Sequence, residues 1–298
     1  FTFSQYLCTI MKNSNENYRT IKDISFEGER PLFHTGELSL DNVTFLTGES
    51  ALKHCHDIVA ANCNFYGRYP IWHNENVKVE KSVFHDDARA AMWYVRNLSL
   101  CDVRIDAPKT LREIDGVTLR NVIVTNGPET LWKCRNVDLH DVKADGAEYI
   151  FMNCSDIRID NLVLHGKYSF QYARNIEINN SQLFTKDAFW HAENITVRNS
   201  LVSGEYLGWH SHNLRLINCH ISGTQPLCYC HNLILENCTM DADADLAFEY
   251  STVNATINGA VTSIKNPAGG YIKADTIEEI ILDEYCLNPG KTEIVHNN

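Results

Sequence analysis

A repeat of 19 to 22 residues runs through nearly the whole chain and constrains its fold more than any other feature. The copies that begin at Asn194, Asn213 and Asn232 show it most clearly, and each has a second Asn five residues after the first. Nine further copies bring the total to twelve, and they begin at Glu37, Asp57, Asn76, Asn97, Gly116, Asn136, Asp156, Asn175 and Asn254. Self-similarity at this period is typical of a solenoid, in which each repeat packs on its neighbours.

Each copy predicts three short strands. In the first strand, apolar residues such as Ile195 and Val197 flank a mostly polar one, and this alternation indicates one buried face. A second strand follows the second Asn, and a third, with a large apolar residue, precedes the next copy. The hexapeptide repeat of left-handed β-helices and the leucine-rich-repeat signature are both absent. We therefore predict an all-β, right-handed parallel β-helix of about 12–13 coils, which at about 4.8 Å per coil is about 60 Å long.

Two kinds of residue recur at fixed places in the repeat. The second Asn of each copy, as in Asn199 and Asn218, is expected to adopt a left-handed backbone at a corner and to pass amide hydrogen bonds along the stack. Seven cysteines fall into two columns that should face the core as small apolar side chains. These columns contain Cys63, Cys219 and Cys238, and Cys55, Cys134, Cys154 and Cys230.

The repeat also predicts the domain organisation. Residues 18–262 should form the coils, because the repeat is recognisable there, while the open ends of a stack need covers. Residues 1–17 are interpreted as an N-terminal cap or leader, and residues 263–298 as a C-terminal cap. The first ten residues lack a basic leader, so no signal peptide is expected.

Composition narrows the range of partners. The net charge of −12 argues against binding to nucleic acid or to an anionic membrane, since both need clustered Lys and Arg. No apolar run approaches the roughly 18 residues of a membrane-spanning helix. The 11 cysteines are odd in number and scattered in spacing, which indicates reduced thiols and a cytoplasmic location.

Three segments resemble a known family. Residues 26–33 (FEGERPLF), 48–53 (GESALK) and 69–73 (YPIWH) are similar to the opening coils of a bacterial family of domains of unknown function. Its members have about this length and a single-stranded right-handed β-helix of the pectin-lyase-like class. The resemblance covers essentially the whole chain and implies the fold, but it implies no activity. The wider superfamily is rich in polysaccharide lyases and glycosidases, which is an analogy at the level of fold.

All five tryptophans fall in one column, four residues before the leading residue of a copy. The next column is rich in His and Tyr. Exposed tryptophan on a soluble protein needs a reason, and flat rings beside polar groups suit a carbohydrate chain. Two alternatives are rings that stack without a ligand and an interface between copies of the chain. The predicted ligand-binding residues are Trp72, His73, Trp93, Trp132, Tyr172, Trp190, His191, Trp209 and His210.

Charged residues near the middle of this face are candidates for catalysis. A lyase needs a base and a cation, for which Tyr94, Arg112 and Lys133 are available. A hydrolase needs two carboxylates, for which Glu113 with Asp87 or Glu129 is the pair to test. For any single one of these residues, an ordinary solvated charge in a turn is the favoured interpretation. No zinc-type cysteine spacing occurs, so we predict no metal site and no cofactor.

The leading hypothesis is a carbohydrate-binding or carbohydrate-active β-helix protein whose partner is an oligo- or polysaccharide. The alternative is a non-catalytic scaffold that forms homo-oligomers through the aromatic columns or the ends of the stack. The coils are uniform in length, so no long loop is expected to wall a cleft, and catalytic residues often lie on such loops. Whether the chain is an enzyme is therefore left open.

Overall fold

The computed structural model describes residues 18–297, which form 26 strands and contain no helix. The strands are β1 (Arg19–Lys22), β2 (Ser25–Glu29), β3 (Gly36–Asp41), β4 (Thr44–Glu49), β5 (His56–Ala61), β6 (Asn64–Phe65), β7 (Ile71–Trp72), β8 (Glu75–Glu80), β9 (Val83–Phe84), β10 (Met92–Trp93), β11 (Arg96–Cys101), β12 (Arg104–Ile105), β13 (Leu111–Arg112), β14 (Asp115–Val124), β15 (Arg135–Glu148), β16 (Ser155–Lys167), β17 (Arg174–Asn179), β18 (Gln182–Lys186), β19 (Glu193–Arg198), β20 (Leu201–Ser203), β21 (His212–Ile217), β22 (His220–Ser222), β23 (Leu233–Met240), β24 (Thr252–Lys265), β25 (Gly269–Ile281) and β26 (Thr292–Val295). They pair in parallel, and the predicted parallel β-helix is confirmed.

The stack has about 15 turns, which is more than the 12–13 predicted. The strand that follows each leading residue forms the first side of a turn, and in-register pairing along this side runs unbroken from β1 to β26. The extra turns lie at the ends, where the sequence repeat is weak but the backbone still pairs. Residues 1–17 lie outside the described part of the chain. The segment predicted as a C-terminal cap contains β25 and β26, and its role as a cap stays a prediction.

The core consists of side chains that stack on their equivalents in the next turn. Phe65 and Phe84 have ring centroids 4.5 Å apart, and Phe170 lies between Phe151 and Phe189 at 4.7 and 5.5 Å. All five rings are fully buried. Stacked aromatic pairs contribute about 0.5–1.5 kcal/mol beyond the area they bury. The period-two alternation in the sequence therefore becomes continuous apolar columns along the axis.

The cysteine columns also lie in this core, as predicted. Burial raises the pKa of Cys63 to about 11, so its thiol stays protonated and unreactive near neutral pH. The predicted cytoplasmic location stays a prediction. The seven column cysteines are free thiols that are at most 2% exposed, and they are Cys55, Cys63, Cys134, Cys154, Cys219, Cys230 and Cys238.

The corner prediction for asparagine is confirmed. Asn199 and Asn218 have φ values of 51° and 52°, and Asn218 Nδ2 donates to Asn199 Oδ1 at 3.1 Å. The leading residues form a second ladder, in which Asn194 donates to Asn175 at 3.2 Å and Asn213 donates to Asn194 at 2.8 Å. Each amide thus satisfies its neighbour in the next turn, and the two ladders run along the outside of the stack.

The prediction of a third strand in every copy is wrong for most turns. Within residues 18–297 only β7, β10 and β13 form on this side, and one further bridge joins Arg112 to Trp132. Corner spacing is the same in turns with and without a strand, because left-handed residues four positions apart flank both, as at Tyr69 and His73 and at Tyr168 and Tyr172. In turns without a strand the segment closes on itself, as where the N–H groups of Ala173 and Ala192 donate to the carbonyl oxygens of Phe170 and Phe189, both at 3.0 Å. The third side is therefore a column of stacked turns.

Candidate functional site

The third side of the stack carries all five tryptophans, as the repeat predicts. The residue that precedes each tryptophan, such as Ile71 or Phe189, faces the core, and the indole itself is half-buried at the surface. We call this surface the aromatic face, and it comprises Trp72, His73, Trp93, Trp132, Tyr172, Trp190, His191, Trp209 and His210.

One part of the aromatic face is a continuous stack. Trp72 and Trp93 are nearly parallel, with ring centroids 5.1 Å apart. The guanidinium of Arg112 lies 4.2 Å from the Trp93 ring and 4.6 Å from the Trp132 ring, and the Lys53 ammonium lies 5.6 Å from the Trp72 ring. Cation–π contacts of this kind contribute about 0.5–2 kcal/mol each. The flat surfaces of Trp72 and Trp93 are therefore covered on both sides by their neighbours.

The indole N–H groups in this stack are also engaged. Trp72, Trp93 and Trp132 donate to backbone carbonyl oxygens at 2.5, 2.7 and 2.6 Å. These bonds hold each indole plane crosswise to the axis of the stack, so the edges of the rings, and not their faces, are directed outward. A sugar ring that stacks on an aromatic side chain needs an open ring face. In this part of the aromatic face the open surface consists of ring edges.

The second predicted column stacks in the same manner. His73 lies between His54 and Tyr94, at centroid distances of 4.9 and 4.7 Å. His191 lies between Tyr172 and His210, at 5.3 and 5.1 Å. These side chains are at left-handed corners that project from the stack.

The tryptophans form two separate groups. Met152 and Gln171 occupy the column between Trp132 and Trp190, so the stack is interrupted there. Trp209 stacks on Tyr229 at 5.3 Å, and the Nε1 atom of Trp190 is buried without a hydrogen-bond partner among the described residues. The single column seen in the sequence is therefore not one continuous surface.

Four of the predicted catalytic residues lie in three consecutive turns: Tyr94, Glu113 and Lys133 follow one another in one corner column, and Arg112 precedes Glu113. Arg112 is ion-paired with Glu129 at 3.2 Å, and Tyr94 is engaged in the His73 stack. The side chains of Glu113 and Lys133 lie in adjacent turns of one corner column, and neither has a hydrogen bond or ion pair within residues 18–297. Asp87 likewise lacks such a partner and lies in the segment between β9 and β10.

A groove on the first side is a feature that the sequence reading missed. It has a volume of about 590 Å³ and spans β15, β16, β17 and β19. One wall is the ladder of leading residues, and the floor carries the polar residue that lies between the two buried residues of each strand. The side chains that give it its chemistry are Asn136, Asp138, Asp156, Arg158, Asn175, Glu177, Asn194 and Thr196. The sequence feature that could have identified this groove is the polar residue that recurs, in successive repeats, between the two buried residues of the first strand.

A charged network borders the groove. Arg120 donates to Asp138 at 2.7 Å, and the His140 imidazole lies between two carboxylates. Its Nε2 is 3.3 Å from Asp138 and its Nδ1 is 3.8 Å from Asp160. The network therefore places an imidazole between two carboxylates beside the groove.

Hydrogen bonding also tunes a groove carboxylate. The side-chain hydrogen bond from Asn175, followed by one from Ser155, lowers the pKa of Asp156. Asp156 thus remains an anion and an acceptor at neutral pH. No group of three or more His, Cys, Asp or Glu side chains within residues 18–297 could hold a metal ion.

Acidification is expected to destabilise the stack through its histidines. Burial, followed by the neighbouring His54 and Lys53, lowers the pKa of His73, and burial followed by other histidines lowers that of His210. Below the ordinary pKa of about 6.5 the unfolded chain binds more protons than the folded chain, so stability should fall as the pH drops from 8 to 5.5. Urea denaturation across this range should show a falling midpoint.

The matched variant for this prediction is His73→Phe combined with His210→Phe, which keeps the stacking and removes the protons. Its midpoint should depend less on pH than that of the natural chain. An identical pH dependence for both proteins would show that other groups control the effect.

The chain is therefore a parallel β-helix that carries a polar groove on its first side and an aromatic face on its third side. The chain belongs to the DUF3737 family, whose description is "protein of unknown function", and it matches this family over residues 19–295. No curated protein matches the chain.

Solved structures resemble the chain at low identity. QnrB1, a plasmid-mediated fluoroquinolone resistance protein, is 9% identical with a TM-score of 0.35, and the match covers 66% of this chain and 93% of that one. The A-module of the mannuronan C-5 epimerase AlgE4 from Azotobacter vinelandii is 11% identical with a TM-score of 0.34, and 93% of this chain and 80% of that one are covered. Identities this low assign no activity to the chain.

Proposed function

We propose that the protein binds a neutral carbohydrate chain in the groove on its first side. The observation that carries this proposal is the groove itself, which is open along the axis and lined by amides, carboxylates, a hydroxyl and a guanidinium group. Sugar hydroxyls both donate and accept hydrogen bonds, so a lining with both kinds of group suits them. A carbohydrate-active protein that acts on the bound chain is a finer form of the same proposal.

The asparagine ladder supports a linear ligand. Each Asn amide has two N–H donors, and the ladder uses one of them, as in the bond from Asn194 to Asn175. In the groove one N–H is left for a ligand at Asn136, Asn175 and Asn194, whereas Asp156 offers carboxylate oxygens in its turn. Because turns recur at about 4.8 Å, equivalent groups repeat along the axis. A polymer with a repeating unit can use such a row, whereas a compact ligand meets only part of it.

The charges of the groove favour a neutral ligand. Asp138, Asp156 and Glu177 outnumber Arg158 in the lining, and the whole chain carries a net charge of −12. An anionic polymer would be repelled by this field. A neutral chain can instead accept from Arg158 and donate to the carboxylates.

The groove is a better candidate than the aromatic face for physical reasons. Trp72 and Trp93 are covered by neighbouring rings and cations, and their N–H groups are bonded to backbone oxygens. Stacking on sugars would require opening those contacts. Binding by the aromatic face stays a prediction, and the test below separates the two surfaces.

The test is titration calorimetry against a panel of neutral oligosaccharides. Replacing Arg158 and Glu177 by alanine removes two groups that have no ion-pair partner in the described chain, so folding should be unaffected. A hydrogen bond to a charged group contributes about 1.5–3 kcal/mol, so the double variant should bind at least about 10-fold more weakly.

The matched control is Tyr172→Ala, which changes an aromatic-face residue that is 47% exposed. It should leave the affinity unchanged. If Tyr172→Ala abolishes binding while the groove variant binds normally, the aromatic face is the site and the groove proposal is wrong. If the natural chain binds no neutral oligosaccharide, the proposal also fails.

A further inference from the structure

The groove on the first side extends over four turns. Each of the strands β15, β16, β17 and β19 contributes one leading residue to its wall and one polar residue to its floor. The parallel pairing is in register, so the floor residues follow one another along the axis. At about 4.8 Å per turn, the groove offers four equivalent positions over about 14 Å. These positions are Asn136 with Asp138, Asp156 with Arg158, Asn175 with Glu177, and Asn194 with Thr196.

The wall and the floor both change at the ends of the groove. In the turn before Asn136 the leading residue is Gly116, which has no side chain to extend the wall. In the turn after Thr196 the floor residue is Arg215, whose guanidinium donates to Glu236 at 2.6 and 3.1 Å. Neither Gly116 nor Arg215 contributes to the lining. The four-turn length is therefore fixed by side chains, although a longer ligand can continue past them.

Polar groups in the floor remain available to a ligand. Arg158 and Glu177 are neighbours in register and have opposite charges, yet neither side chain has a hydrogen bond or an ion pair within residues 18–297. The Thr196 hydroxyl is also without a partner in the part of the chain that the structure describes. Asp138 accepts from Arg120 at 2.7 Å and retains acceptor capacity, because a carboxylate has about four lone-pair sites. Each turn thus offers at least one polar side chain.

The spacing of the turns favours one shape of carbohydrate chain. A sugar ring that is linked equatorially at both ends advances an extended chain by about the spacing of one turn. Such rings carry hydroxyls along both edges, so every unit meets the wall even where successive rings are turned over. An axial linkage at one end of each ring bends the chain into a coil instead. The hydroxyls of a coiled chain leave the line of the groove after a few units.

We infer that the groove binds an extended, equatorially linked neutral oligosaccharide, with one sugar unit in each of its four turns. This inference rests on the proposed function and adds the linkage of the ligand and the length of the segment that is bound. Each turn that is filled strengthens binding until the fourth turn is occupied. A coiled chain of the same composition fills only part of the groove and binds more weakly.

The test is titration calorimetry of the full chain with cello-oligosaccharides of one to six units and with malto-oligosaccharides of the same lengths. The two series have the same composition and charge, and they differ in the linkage, which is axial at one end only in the second series. Each filled turn adds at least one hydrogen bond, so the affinity for the first series should rise about 3- to 10-fold per unit up to four units and then stay level. From three units upward, the malto-oligosaccharides should bind about 10-fold more weakly, because they forgo at least one such bond.

Thr196→Val tests the position in the last turn, because it removes the hydroxyl and keeps the shape of the side chain. It should weaken binding of the four-unit cello-oligosaccharide about 3-fold or more, and it should change binding of the two-unit one, which fits in the other turns, less than about 2-fold. The matched control is Thr118→Val, since Thr118 lies in the same floor row, one turn before Asp138, and outside the lining. It should leave every affinity unchanged, and circular dichroism establishes that both variants are folded.

Affinity that does not depend on length, or equal affinity for the two series, overturns this inference and leaves the proposed function intact. Affinity that still rises from four to six units overturns it as well, since the ligand would then extend beyond the groove. Equal effects of Thr196→Val and Thr118→Val would have the same consequence. If neither series binds, this inference is wrong, and the proposed function is wrong too only if the wider panel of neutral oligosaccharides gives no binding.

Discussion

Replacing Phe170 by alanine is expected to lower the free energy of unfolding by about 4 kcal/mol. Its ring is fully buried between Phe151 and Phe189, at centroid distances of 4.7 and 5.5 Å. Burial of a large ring and the cavity left by its loss together cost about 3–5 kcal/mol. The stack cannot collapse to fill the gap, since the spacing of turns is held by backbone pairing. Urea denaturation followed by circular dichroism measures the loss.

Phe33→Ala provides the matched control, because Phe33 is 40% exposed and at the surface of the third side. Its removal should cost less than about 1 kcal/mol, as surface changes usually do. If Phe170→Ala costs as little as Phe33→Ala, the stacked phenylalanines do not carry the stability assigned to them.

Replacing Gly204 by alanine should be nearly as damaging, for a reason that lies in the backbone. Gly204 has a φ of 145°, and a Cβ there would overlap the carbonyl oxygen of Thr185 and lie 2.8 Å from its carbonyl carbon. Unfavourable backbone conformation costs about 1–3 kcal/mol, and the overlap with fixed backbone adds to it. We expect a loss of about 3 kcal/mol or more, measured by the same denaturation experiment.

Gly146→Ala separates the two causes. Gly146 also has a positive φ, of 59°, but nothing lies within 4 Å of a Cβ at that position. This variant should lower the free energy of unfolding by only about 1 kcal/mol, which is the cost of placing alanine in the left-handed backbone region. Equal losses for the two variants would mean that close approach of the turns at Gly204 is unimportant.

Much of the fold could be predicted because it depends on local alternation. The inward column of Phe65 and Phe84 follows from a period-two pattern, the column of Phe170 follows from an apolar residue at a fixed place in the repeat, and the left-handed corners follow from Asn at fixed positions. The weak end turns were missed, since backbone pairing in β25 and β26 does not require the repeated side chains. The third side closes into local hydrogen-bonded turns, such as that from Ala173 N–H to Phe170 O, and the apolar pattern of the sequence does not distinguish such a turn from a short strand.

The candidate site was less predictable. The column of tryptophans was visible in the sequence, but its meaning depended on ring orientation. Only the structure places Arg112 between Trp93 and Trp132 and the indole N–H groups on backbone oxygens. The groove was missed because the polar residue in each first strand looks like an ordinary solvent-facing residue when read one strand at a time.

The sequence by itself determined the parallel stack, the identity of its core columns and the side of the stack on which the tryptophans lie. These properties follow from the period of the repeat, because equivalent residues 19 to 22 positions apart must come into register. The tertiary structure decided which surface is open to a ligand and which is closed on itself. That distinction depends on contacts between neighbouring turns, where the tilt of a ring or the width of a groove is set by packing that no single repeat contains.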